Sequence, residues 1–179
     1  MNLKQLLEFA INKENFMSID DYLGFALSYL EFIKTNLQAV IVSQNENHYR
    51  FFQYKEEGTF NVTRPINSRL MLGFEDFEQC KNHFQYLLKN IKNDRLKTTE
   101  NRTLLNSLVY TAQQSIGATL DALPAKKSNT ARKINGDLFE RFIRLIISDI
   151  GIEVREAHRS IPVKVNDEVL FKMNYQHDL

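Results

Sequence analysis

Apolar residues recur at helical spacing from the start of the chain. Leu3, Leu6, Leu7, Ala10 and Ile11 fall on one face, which predicts a short amphipathic helix over 3–13. Ser18 is placed to cap a second helix, with Asp20 and Asp21 suited to the positive end of its dipole. The apolar face of that helix is Tyr22, Leu23, Ala26, Leu30, Ile33 and Leu37. The period then changes. Residues 39–42 and 49–54 are rich in β-branched and aromatic side chains and flank the polar run 43–47, a pattern that predicts a hairpin.

Gly58, Pro65 and Gly73 punctuate a loop region that carries Arg64 and Arg69. Helical spacing returns with Phe77, Phe84, Leu87, Leu88 and Ile91. It returns again after Thr99 with Leu104, Leu105, Leu108, Ala112, Ile116 and Leu120, ending at Leu123-Pro124. Residues 125–133 are polar and positive and predict a linker. Such a run is a solvated loop or a phosphate-contacting segment. In the second reading Lys126, Lys127, Arg132 and Lys133 neutralise phosphates, and Asn129 and its hydroxyl neighbours donate hydrogen bonds.

The densest apolar helix is predicted over 136–150, with Asn135 as its cap and Gly151 as a left-handed C-cap. Its apolar residues cover more than half the circumference, so burial on most sides is expected. Glu140 sits in this surface, placed to pair with Arg141 or Arg144 at a core edge or to face a metal or phosphate-lined cleft. Beyond Gly151 the runs 152–157, 161–165 and 169–173 read as strands, the last two a hairpin around Asn166-Asp167-Glu168.

Composition narrows the function classes. A chain of 179 residues, 43% hydrophobic and 25% charged, supports a real core. Its formal charge of +1 gives no global field for nucleic acid or membrane, so a nucleic-acid site must be a local basic patch. One cysteine, Cys80, excludes an internal disulfide. The first residues lack the pattern of a signal peptide, and no apolar stretch approaches a membrane span. A cytoplasmic location, with no membrane partner, is the expectation.

The helix with Gly136 and Glu140 in a Gly-x-x-x-Glu spacing, followed by strands and then Asp178, resembles the first half of the PD-(D/E)XK nuclease core. The runs 132–141 and 175–179 are similar to stretches of type II restriction endonucleases. The pattern along the chain predicts a mostly helical α+β protein, and with the resemblance of its last part it divides into three parts. These are a mainly helical N-terminal region with a small hairpin (1–123), a basic linker (124–135), and the first helix and strands of an incomplete restriction-endonuclease-like core (136–179).

The implied activity is Mg²⁺-dependent hydrolysis of a specific double-stranded DNA sequence. Asp178 and Glu140 would be metal and catalytic carboxylates, and a complete enzyme would be a homodimer. Lys126, Lys127, Asn129, Arg132 and Lys133 are the DNA-binding candidates. The family's second carboxylate and lysine are absent: Glu168 has no lysine two residues on, and Glu156 has His158 there. The chain is therefore expected to be a truncated enzyme that is inactive alone. The alternative is a non-catalytic DNA-binding or partner subunit of a restriction system.

Overall fold

The computed structural model describes residues 1–42, 48–54, 62–90, 99–152, 160–165 and 168–174. Within them are α1 (Leu3–Ile11), α2 (Ile19–Asn36), β1 (Leu37–Val42), β2 (Tyr49–Tyr54), β3 (Ile66–Asn67), α3 (Phe74–Asn90), α4 (Thr99–Leu120), α5 (Ser128–Asp149), β4 (Ser160–Val165) and β5 (Glu168–Asn174). The architecture is α+β and mainly helical, as expected. β1, β2 and β3 form an antiparallel sheet in that order, and β4 and β5 form a separate antiparallel hairpin.

The helix starts follow local chemistry. Ser18 closes a capping box: its hydroxyl oxygen accepts from the Asp21 amide at 3.3 Å, and the Asp21 carboxylate accepts from the Ser18 amide at 2.7 Å. α2 then buries Tyr22, Leu23, Phe25, Ala26, Tyr29, Leu30 and Phe32. That face is wider than its spacing predicts, because α2 packs against α3, α4 and α5 together.

Three elements meet at a buried polar chain. The Tyr54 hydroxyl donates to the Ala118 carbonyl at 2.9 Å, and the Tyr29 and Tyr54 hydroxyls lie 3.0 Å apart. With its own proton committed to Ala118, Tyr54 accepts from Tyr29. Burial pushes both phenols above their ordinary pKa, so both stay protonated and the chain keeps its direction. It ties α2, β2 and α4 to one point.

Two expectations need correction. Residues 128–135 are not a coil linker but the first two turns of α5. Asn135, expected as the cap, is inside the helix, and its side-chain oxygen accepts from Gln113 at 3.1 Å. Pro124 ends α4's path and opens a 3-10 turn at Ala125–Lys127. From there Ala131 is drawn into the core, and no residue of 128–134 breaks a helix. The helix is also less enclosed than its composition suggests. Only Ala131, Leu138, Phe142 and Ile146 are buried, and Phe139 is 43% exposed.

The C-terminus of α5 is as predicted. Gly151 has φ 70°, its amide donates to Ser148, and the Ile152 amide donates to Ile147. These are the paired bonds of a Schellman motif.

Candidate nucleic-acid interface

α5 is clamped along one side. The Tyr22 hydroxyl donates to the Leu138 carbonyl at 2.8 Å, and the Tyr22 ring stacks on Phe142 with centroids 4.3 Å apart. Arg141 donates to the Lys13 carbonyl at 2.6 Å, and the Lys13 ammonium pairs with Asp137. These contacts fix the rotation of α5 about its axis, and with it the face turned to solvent.

On that face Asn129, Lys133, Gly136 and Glu140 follow i, i+4, i+7, i+11 spacing, a single line along the helix. Arg132 flanks the line, and Lys126 and Lys127 precede it in the 3-10 turn. Lys126, Lys127, Asn129, Arg132 and Lys133 are all exposed. Between Pro124 and Asp137 there are four cations and no acid. None of the four has an ion-pair partner among the described residues.

This crowding of positive charge opposes the helix. α5 begins with Lys127 in the capping position, no side-chain cap hydrogen bond and no acidic residue in the first turn. A helix N-terminus carries partial positive charge, so cations there cost stability where an acid would add it. The arrangement becomes favourable when an anion lies against it.

Glu140 is about 10 Å along the axis from Lys133, at 1.5 Å per residue. One of its carboxylate oxygens accepts from Arg144 Nε at 3.0 Å and Nη2 at 2.7 Å, and both side chains are 41% exposed. Of the two pairings open to it in the sequence, the structure selects Arg144. Asp178 lies outside the described residues.

Among the described residues no three His, Cys, Asp or Glu side chains come together as a metal site. Glu140 offers one oxygen not engaged by Arg144, which is too little to hold Mg²⁺. The described residues therefore do not fit the metal by themselves. Cys80 and His83 share a side of α3, but Cys80 packs against the core and the His83 ring rests near Tyr86.

Beside the start of α5 is a cleft of about 570 Å³ lined by Arg64, Asp121, Leu123, Ser128 and Arg132, among others. Arg64 is not a free surface cation. Its backbone N–H and Nε donate to Asp121 Oδ2 at 2.8 and 2.9 Å, and Nη2 donates to Oδ1 at 2.9 Å. The hydrogen-bonded Asp121 carboxylate holds the guanidinium pKa above its usual value.

The guanidinium lies over Gly117 of α4, where a Cβ would come within 2.6 Å of Nη1 and 2.7 Å of Cζ. Sequence reading passed over Gly117 and Asp121. A glycine inside a strongly periodic helix was the available signal.

No family model matches the chain, and no curated protein matches it. No described helix is long and apolar enough to cross a membrane. Among solved structures the chain is similar to the crystal structure of the Type IIP restriction endonuclease Kpn2I. The TM-score is 0.59 at 21% identity, over 91% of this chain and 51% of that one. The chain thus spans about half the length of the structure it matches, and what the two share is an α+β fold.

Proposed function

We propose that this chain is the DNA-engaging part of a type II restriction endonuclease that recognises a specific duplex sequence and hydrolyses its phosphodiester bonds with Mg²⁺. The observation that carries the reading is the cluster of four exposed cations, Lys126 and Lys127 in the 3-10 turn and Arg132 and Lys133 at the start of α5, none with an ion-pair partner among the described residues. In a fold similar to that of a restriction endonuclease, these residues and Asn129 contact backbone phosphates. Gly136, with no atom within 4 Å of its Cβ position, lets a strand pass close to the helix. Contacts of this kind position the protein on the duplex rather than read its bases.

In the catalytic part of the proposal Asp178 is the principal metal carboxylate and Glu140 the accessory one. No Asp or Glu in the 179 residues is followed two positions on by Lys. The second carboxylate and the lysine must come from a segment other than these residues, and the working unit is a homodimer facing a palindromic site.

The test is cleavage. The purified 179-residue chain with Mg²⁺ leaves duplex DNA uncut. Adding a segment with an acid-x-Lys strand, fused or in trans, gives site-specific cutting that Asp178→Ala abolishes. Specific Mg²⁺-dependent cleavage by the chain alone would show that the carboxylates are misassigned. Duplex binding without cleavage in every combination would favour a non-catalytic DNA-binding or partner subunit.

A further inference from the structure

A cavity of about 370 Å³ opens between α2, the β2–β3 pair and the start of α3, within the ~300–1,000 Å³ typical of small-ligand sites. Leu30, Ile33, Phe52, Ile66 and Phe74 make its walls largely apolar. Among the described residues its rim carries three charges. Lys34 and Glu75 pair across one lip, and the Lys34 ammonium lies 4.7 Å from the centre of the Phe74 ring. That pairing holds the Glu75 carboxyl below its ordinary pKa.

The third charge is Arg50. By strand alternation it shares a face of β2 with Phe52 and Tyr54. Those two are buried, whereas Arg50 is exposed at the cavity mouth. It has no carboxylate partner among the described residues. With Lys34 and Glu75 cancelling, the described residues of the rim leave one positive charge beside an apolar floor.

The geometry points to a binding site for a compact anion with a flat apolar body, its acid group on the Arg50 guanidinium and its ring against Phe52 and Phe74. A guanidinium offers paired donors that match either a carboxylate or a phosphate. A nucleoside monophosphate and an aromatic carboxylate therefore share the required chemistry. The site uses none of the α5 residues and stands apart from the DNA reading.

The test is a titration of the intact chain, followed by backbone amide shifts, with deoxyadenosine 5′-monophosphate, benzoate and uncharged deoxyadenosine. At least one of the two anions should shift the amides of Ile66, Leu72, Gly73 and Phe74 in a saturable way. The one that does so identifies the source as phosphate or carboxylate. Arg50→Gln, a change at an exposed position, should weaken that binding about tenfold, the value of one charge-assisted contact. Lys34→Met should weaken it less, because Glu75 already neutralises that ammonium. Saturation by neither anion, equal binding of deoxyadenosine, or no loss on Arg50→Gln would each overturn the assignment. The variant with Lys126, Lys127, Arg132 and Lys133 changed to Ala should bind the anion as the parent does, and loss of binding there would also overturn it.

Discussion

Two glycines inside helices should respond to the same substitution with opposite signs. At Gly117 a new Cβ would sit 2.6 Å from Arg64 Nη1, 2.7 Å from Cζ and 3.0 Å from Nε. The guanidinium, the far end of a flexible side chain, must shift, and two of the three hydrogen bonds to Asp121 are strained or lost with it. The pair is partly enclosed, with side chains 28% and 21% exposed. Breaking a fully buried pair costs about 3–5 kcal/mol, and partial solvation reduces this to about 2–4 kcal/mol. Alanine returns about 1 kcal/mol through helix propensity. Gly117→Ala should therefore destabilise by a net ~1–3 kcal/mol.

At Gly136 nothing lies within 4 Å of the Cβ position, so only the propensity gain of about 1 kcal/mol remains. Urea titration followed by circular dichroism measures both, and thermal midpoints should move by about 2–4 °C per kcal/mol. In an Arg64→Ala background the Gly117→Ala change should become stabilising, since nothing is left to displace. Stabilisation by Gly117→Ala in the parent chain would refute the placement of Arg64 over α4.

Tyr54→Phe should cost about 1–3 kcal/mol, because it leaves both the Tyr29 hydroxyl and the Ala118 carbonyl without their partner. Tyr29→Phe should cost less, since Tyr54 still donates to Ala118; equal losses in urea titration would contradict the inferred direction of the chain. Ser18→Ala should cost about 1 kcal/mol at neutral pH through loss of the α2 cap. Burial raises the Asp21 pKa, but the hydrogen bonds from Ser18 and Met17 outweigh it and hold the folded value below the ordinary one. The stability this adds is present above the unfolded carboxyl pKa and is lost as pH falls through the lowered folded one. Asp21→Asn should remove that part of the acid dependence, and an unaltered acid limb in pH-dependent melts would rule the linkage out.

Much of the fold was legible because its signals are local. The Ser18 cap, the hairpin of β1 and β2 and the left-handed Gly151 each depend on residues a few positions apart. The start of α5 misled for the same reason. Asn135 and Asp137 imitate a cap, and a run rich in Lys, Ser and Asn imitates a loop. The burial of Ala131 and the turn opened by Pro124 are tertiary facts that decide the matter.

The candidate site was half legible. Lys126, Lys127, Asn129, Arg132 and Lys133 were marked by composition, but only the helix shows that Lys133 and Glu140 share one open face. Arg64 was legible only as a loop residue, because its partner, Asp121, is 57 residues away. No spacing rule reaches that far. The other expected carboxylate, Asp178, lies outside the described residues, so the geometry bears on Glu140 alone.

We propose that the exposed cations at the start of α5 bind the DNA backbone. This is tested most directly by the salt dependence of duplex binding, compared between the parent chain and a variant with Lys126, Lys127, Arg132 and Lys133 all changed to Ala. The four substitutions lie on exposed positions, so both proteins should fold, which circular dichroism checks in the same samples. Each phosphate contact contributes about 0.9 to the slope of log K against log salt, and four lost contacts should flatten it by ~3–4. Weaker binding by the variant on every duplex, with that flattened slope, is the expected result. An unchanged slope, or no duplex binding by the parent at low salt, would contradict it.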